Sequence, residues 1–320
     1  MKILITGVAG AIGSHVAEHF VGLGHEVVGV DILTPYYDRA IKEINLADVA
    51  ASGVEVHLCD LAVDDIDHFM KGVDVVFHFA AQPGISATTS FEDYVRNNII
   101  ATHRLLDSVS KVPGLKGFVH ISTSSIYGVH AYGEETVEVK PTSSYGVTKL
   151  AAEQLALSYH REHGLPVVVL RLFSVYGPRE RPEKLYHKLI KSILEGKDFP
   201  LHEGSEHHVR SYTNVDDIVH ACDLVVKNLE LAVGEIFNIG TDQTITTGEG
   251  IKIIERLLGK PACLVVTPRR PGDQKETGAN IEKARRILGY NPTVGVEEGL
   301  ARQVVWYKDK LHDKLHKSQE

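Results

Sequence analysis

The feature that most constrains this chain is an alternation. Short apolar runs rich in Val, Ile and Phe recur at KILIT (2–6), EVVGV (26–30), VEVHL (54–58), VDVVFHFA (73–80), GFVHIS (117–122) and LPVVVLRLF (165–173). Between most of them lie segments with helical spacing of apolar residues, such as IGSHVAEHFVGLG and YVRNNIIATHRLLDSVS. A strand that is apolar throughout must be covered on both faces, and a parallel neighbour is reached only through a crossover, which a helix supplies. The pattern therefore predicts an α/β fold, a doubly wound parallel sheet with helices on both faces, over residues 1–174. Beyond about residue 175 the alternation loosens into polar segments rich in Pro, Gly and Arg: GPRERPEKL, HEGSEHHVR and TPRRPGDQK. These are expected to form a smaller, mainly substrate-binding α/β lobe over 175–320. Residues 212–240, with NVDDIVHACDLVV and EIFNIG, are expected to return to the first lobe.

A formal charge of -8 over 320 residues supplies no positive field, which argues against a nucleic-acid or membrane-surface binder. Cys59, Cys222 and Cys263 are far apart and form no CxxC pair, so neither a disulfide framework nor a zinc site is expected. The 18 histidines include His15 with His19 and His312 with His316 at helical i,i+4 spacing, but without a third ligand or an HExxH context no metal is expected. MKILITG enters a strand directly and no apolar run approaches transmembrane length, so a cytoplasmic location is expected.

TGVAGAIGS follows the first strand and opens a helix, with Gly7, Gly10 and Gly13 in a GxxGxxG spacing. Small residues there let the backbone approach a pyrophosphate, and the amides of the helix start, at Ala11 and Ile12, face the anion. Asp31 closes the second strand, where a carboxylate accepts from both ribose hydroxyls and repels the extra phosphate of NADP, so the cofactor expected is NAD. Asp60 and Leu61, after the third strand, are placed to reach the adenine, with helix capping as the other reading of Asp60.

SSYGVTKLAAEQLALSYHREHG (143–164) reads as a helix whose first turn stacks Tyr145 and Lys149 on one face. A phenol has an ordinary pKa of roughly 10 and is a poor base at neutral pH. A neighbouring ammonium and the positive nicotinamide ring would favour the phenolate. Tyr145 could then take a proton from a sugar hydroxyl while the same carbon is oxidised, with Lys149 also holding the nicotinamide ribose. A hydroxyl from ISTSSIYG (121–128), at the end of the fifth strand, would bond the substrate oxygen.

With these residues in place the chain resembles the extended short-chain dehydrogenase/reductases, specifically the nucleotide-sugar epimerases and dehydratases. TGVAGAIGS, HFAAQPG, NNIIAT, HISTSSIYG, SYGVTK, RLFSVYGPR and RSYTNVDD fall in that family's order over essentially the full length. The resemblance implies Thr123 as the catalytic hydroxyl, Tyr145 as the base and Lys149 as its partner. It implies Ala80, Ala81, Gln82, Asn98 and Ser122 along the cofactor. It also implies a homodimer formed through a four-helix bundle, with the helices at 91–111 and 145–163 at the interface.

All these enzymes resemble one another in first oxidising the sugar at C4. Dehydratases and uronate decarboxylases then use a glutamate two positions before the tyrosine of the YG element, and dehydratases add an aspartate before it. Here those positions are Ser125 and Ser124. Elimination would lack its acid–base group, leaving rotation of the keto-sugar and 4-epimerisation. DILTPYYDRAIKEINLADV (31–49) and GPRERPEKLYHKLIK (177–191) are similar to segments of UDP-glucuronate 4-epimerases, and Ser174 stands where neutral-sugar enzymes usually carry Asn. The resemblance implies that Arg181 clamps the C6 carboxylate through its bidentate fork. Together with Thr123, Ser124 and Ser125 it would keep a 4-keto uronate, a β-keto acid, from losing CO2. It further implies Arg210 on the diphosphate and Arg270 and Asp273 on diphosphate and uridine ribose.

The chain departs from that pattern in HFAAQPGISATTSF, where Ile85 or Ser86 replaces an arginine, and at His207 and His208, which replace small polar residues. UDP-glucose/galactose 4-epimerisation is therefore the second reading and decarboxylation of UDP-glucuronate the third. An NAD-sensing protein without catalysis is the alternative outside enzymes; a tuned phenol would be superfluous in it.

Overall fold

The structure is a computed structural model and describes residues 1–86, 88–268 and 276–312. Six of its strands are β1 (Lys2–Thr6), β2 (Glu26–Asp31), β3 (Glu55–Leu58), β4 (Val75–His78), β5 (Gly117–Thr123) and β6 (Val167–Leu172). With the strand Ile236–Ile239 they form one seven-stranded sheet in the order 236–239, β6, β5, β4, β1, β2, β3. Every pairing in it is parallel, with Ile3 opposite Val27 on one side and Val75 on the other. The expected parallel sheet is thus present, with every strand end within two residues of the end of its apolar run.

Successive side chains of a strand point to opposite faces, and the two cores follow that period of two. Ile3, Ile5, Val75, Phe77, Val119, Val168 and Leu170 share one cluster, whereas Leu4, Val76, Phe118, Val167 and Val169 belong to the other. The first face is covered by α1 (Ala11–Gly22) through Val16 and Phe20. Next along the chain comes α2 (Arg39–Ala51), capped by Asp38, whose carboxylate accepts from Ala40 N at 2.9 Å.

The segment expected as one helix is in three parts: α3 (Phe91–Tyr94), a π-helical stretch Val95–Ile100, and α4 (Ala101–Val109). An inserted π turn rotates the helical face, and here it lets Asn98 reach two elements at once. Its Oδ1 accepts from Gln82 N at 2.7 Å and its Nδ2 donates to Thr148 Oγ1 at 3.0 Å. Leu105 and Leu106 of α4 and Ala156 of α5 (Ser144–His163) cover the second face.

A third core lies away from the sheet. It gathers Tyr186, Leu189 and Ile190 of α6 (Leu185–Glu195) with Tyr176, Phe199, Ile254 and Leu300. Around it are a parallel pair, Asp198–His202 with Cys263–Thr267, and a three-stranded sheet of Val209–Arg210, Ile245–Thr246 and Glu276–Thr277. Between the two parts of the chain, α7 (Val215–Lys227) returns to pack on α1. The loop after β6 is tied back by Arg179, which holds a left-handed backbone (φ 64°) and pairs with Glu18 of α1 at 2.7 Å and Asp48 of α2 at 3.4 Å.

Candidate active site

The strand order reverses between β1 and β4, and in such sheets ligands lie in the crevice beyond the carboxyl ends of the strands at that point. A cavity of about 480 Å³ opens there, bordered by the glycine loop, the ends of β2 and β5, the start of α5 and the loop 174–184.

Gly7 has φ 75°, and a Cβ on it would stand 2.7 Å from Ala80 N. A Cβ on Gly13 would collide with the Gly7 carbonyl oxygen. Both glycines are therefore required for the loop to fold against α1 and β4. Gly7, Gly10, Ala11, Ile12 and Gly13 all face the cavity, with Gly10 at the N-cap of α1. Asp31 is held at the cavity edge by Ala9 N at 3.0 Å and Leu33 N at 2.8 Å, so its carboxylate has a fixed direction. The loop, the helix start and this acid fit a dinucleotide carrying a free ribose diol.

Ala80, Ala81, Asp60 and Leu61 also line the crevice. The Asp60 carboxylate is already engaged, accepting from Ala62 N at 3.0 Å and from the Arg96 guanidinium; it closes the turn after β3 rather than capping a helix, since the next helical element starts at Asp67. Asn98 requires a correction: it is buried, is not among the residues lining the cavity, and its side chain holds the Gln82 backbone, accepting from Gln82 N at 2.7 Å and donating to the Gln82 carbonyl at 3.3 Å. The Gln82 side-chain amide takes no part in that pairing and borders a groove that shares Thr34, Tyr36 and Asn97 with the cavity. Ser122 borders the cavity, but its hydroxyl turns inward and donates to Glu153 at 2.6 Å.

Thr123, Ser124, Ser125, Tyr145, Lys149, Ser174 and Arg181 converge on the opposite part of the same cavity. Thr123 ends β5, and its hydroxyl accepts from Ser125 N at 3.2 Å, which starts the turn bearing the two serines. Tyr145 enters from the first turn of α5, where Ser143 caps Gly146 N at 3.1 Å. Lys149 is almost wholly buried and donates to the Ile121 carbonyl at 2.5 Å. Burial pulls its pKa down to about 8, against the opposing charge of Glu153.

The expected lowering of the Tyr145 pKa by Lys149 needs correcting as well. Burial is the largest influence and pushes the phenol above its ordinary value; the Arg181 guanidinium and a hydrogen bond with Thr123 pull it back. Desolvation penalises a phenolate wherever no cation lies directly against it. The groups that favour ionisation are thus Arg181 and Thr123 more than the lysine four residues on.

Several contributors escaped the sequence reading. Arg171 in β6 and Glu153 in α5 form a buried pair at 2.6 Å, and Arg171 also donates to Tyr127 Oη at 2.8 Å. An arginine in the middle of an apolar strand, and a glutamate one turn beyond Lys149, were the available signals. Tyr36 and Lys42 line the cavity from the segment after β2, and Lys42 Nζ is fixed by Thr34 Oγ1 at 2.7 Å. Tyr94 Oη donates to the Gly84 carbonyl at 2.7 Å and accepts from Ser86 N at 3.2 Å, shaping the loop that lacks the arginine. Ile85 borders the cavity there.

Arg210 is half-buried on the three-stranded sheet and is not part of the cavity lining among the described residues. Arg270 and Asp273 lie outside the described residues. Among the described residues no cluster of metal-ligating side chains occurs, and no helix is long and apolar enough to cross a membrane.

A model of the NAD dependent epimerase/dehydratase family matches residues 3–240. An uncharacterized UDP-glucose epimerase of Bacillus subtilis (strain 168) is 34% identical over 96% of this chain and 98% of its own. A UDP-glucuronate 4-epimerase of Thermodesulfobacterium geofontis (strain OPF15) is 35% identical over 96% of each chain. Among solved structures, UDP-glucuronic acid 4-epimerase from Bacillus cereus in complex with UDP-glucuronic acid and NAD superposes with a TM-score of 0.91, at 35% identity, over 96% of this chain and 99% of that one.

Proposed function

This chain belongs to the NAD dependent epimerase/dehydratase family, and from that premise we propose that it is a UDP-glucuronate 4-epimerase, interconverting UDP-glucuronate and UDP-galacturonate. The observation that carries the reading is the convergence of Arg181, Thr123, Ser124 and Ser125 beside Tyr145, with hydroxyls where an eliminating enzyme needs carboxylates. It agrees with the substrate that the Bacillus cereus relative holds.

NAD is the cofactor; when bound it supplies the reversible two-electron oxidation of the sugar carbinol. Gly7, Gly10, Ala11, Ile12 and Gly13 would receive its diphosphate, and Asp31 its adenosine ribose. Lys149, anchored on Ile121, would hold the nicotinamide ribose. Tyr145 Oη carries the proton of the sugar 4-hydroxyl away and later returns it, while Thr123 bonds the same oxygen. Arg181 and the two serines hold the C6 carboxylate, and with it the C5–C6 bond, away from the geometry in which a β-keto acid loses CO2. The keto-sugar would turn and offer its other face for return of the hydride to C4, which inverts that carbon, while Tyr145 gives the proton back to the C4 oxygen.

In this reading residues 1–174 and 212–240 serve the cofactor and the rest serves the sugar nucleotide, with Arg210, Arg270 and Asp273 on its diphosphate and uridine. The protein works as a cytoplasmic homodimer. Exposed Ile100 and Val147 on the neighbouring helical segments 91–109 and α5 support pairing through those helices.

Incubating the protein with UDP-glucuronate, UDP-glucose and UDP-N-acetylglucosamine separately, with products identified by NMR, tests the reading. UDP-galacturonate is the expected product. A pentose would indicate decarboxylation, inversion of UDP-glucose alone would indicate the neutral-sugar enzyme, and no turnover of any would favour the NAD-sensing alternative.

A further inference from the structure

Arg181 does not face the cavity as a lone cation. Its Nη1 lies 2.8 Å from Oε1 of Glu183, two residues further along the same turn. The pair is close but badly aligned. Arg181 Nη1 and both Glu183 carboxylate oxygens are buried, yet none of these three atoms completes a hydrogen bond among the described residues. A structural arginine–carboxylate pair normally uses the fork fully, with two parallel hydrogen bonds. Here the carboxylate has left water for one off-axis contact, an arrangement readily exchanged for a better one.

The surroundings point the same way. Arg181 and Glu183 line the cavity that also holds Thr123, Ser124, Ser125 and Tyr145. The guanidinium is near enough to Tyr145 for its charge to act on the phenol. The turn itself is fixed by Lys184 N donating to the Arg181 carbonyl at 3.0 Å, so the two side chains are held together on one side of the crevice.

We propose that Glu183 is a resident counter-ion that occupies the carboxylate subsite on Arg181 and is displaced by the carboxylate of an acidic sugar. It is thereby a determinant of selectivity between acidic and neutral UDP-sugars. The inference rests on the reading of Arg181 as the carboxylate clamp. Two carboxylates on one guanidinium repel each other, so each acidic substrate binds against Glu183. A neutral hexose leaves it in place. Removing the resident charge should therefore tighten the acidic ligand selectively.

The test uses NAD-loaded protein carrying Tyr145→Phe, so that ligands bind without turnover, compared with the same protein carrying Glu183→Gln in addition. UDP-glucuronate, UDP-glucose and UDP are titrated into both by calorimetry, and thermal melts confirm that both are folded. The dissociation constant of UDP-glucuronate is expected to fall about five-fold in the Glu183→Gln protein, the scale of a partly exposed ion pair, with UDP and UDP-glucose unchanged. An unchanged or weakened affinity for UDP-glucuronate, or an equal gain for all three ligands, overturns the inference. Turnover of UDP-glucuronate by the unmodified protein separates the two readings. If it is epimerised and Glu183→Gln binds it no tighter, only this inference falls; if it is not epimerised, both fall.

Discussion

Replacing Glu153 by Gln isolates the buried charge that underlies the site. Glu153 accepts from Arg171 at 2.6 and 3.1 Å and from Ser122 Oγ at 2.6 Å, with both charged side chains shielded from water. Glutamine keeps the shape, so no cavity opens. What is lost is the charge that compensates the Arg171 guanidinium and one of two carboxylate acceptors; Arg171 keeps the amide oxygen, the Tyr127 hydroxyl at 2.8 Å and the Glu135 carbonyl at 2.9 Å. Breaking a buried pair on one side costs about 3–5 kcal/mol. The retained partners place this case near the lower bound, read as a reduced urea midpoint of the NAD-loaded protein. Catalysis should report the same loss. Burial already holds Lys149 at about 8, and Glu153 opposes that fall. Without the negative charge Lys149 loses its proton at lower pH, so the alkaline limb of the kcat/KM profile should move down by about one unit. A stability loss below ~1 kcal/mol would refute the buried-charge argument. A large loss with an unmoved alkaline limb would refute the coupling to Lys149.

Gly13→Ala should weaken NAD binding severalfold and lower stability by about 1–3 kcal/mol, measured by cofactor titration and melting, because its Cβ meets the Gly7 carbonyl. Glu180 is buried and its pKa is pushed up to about 7 by burial, while it accepts from Gln303 Nε2 at 2.7 Å and His187 N at 3.0 Å. The folded protein then binds this proton more tightly than the unfolded chain. Stability should fall as pH rises from about 4.5 to 7, by up to about 3 kcal/mol, and Glu180→Gln should flatten that slope in denaturation measured across the window. Ile100→Glu with Val147→Glu should convert a dimer to monomers in sedimentation, since both side chains are exposed on the helices assigned to pairing; an unchanged mass would place the interface elsewhere.

The local alternation of apolar runs was sufficient to read the parallel sheet, because strands buried on both faces leave no polar phase in the sequence. The glycine loop and Asp31 were legible for a related reason. Close backbone approach and a fixed acid after the second strand are local requirements, met within consecutive residues. Thr123, Tyr145, Lys149 and Arg181 could be named from motif order. Their electrostatics could not. Helical spacing suggested that Lys149 lowers the Tyr145 pKa, but burial raises it, and the opposing groups come from β5 and from the loop after β6. The family resemblance implies Asn98 as a cofactor contact, yet a π turn directs it to Gln82 and Thr148. The Arg171–Glu153 and Arg181–Glu183 pairs were likewise decided by packing, since their meaning depends on how much water remains around each charge. Periodicity and turn chemistry are properties of neighbouring residues; desolvation and charge pairing belong to side chains that only the folded chain brings together.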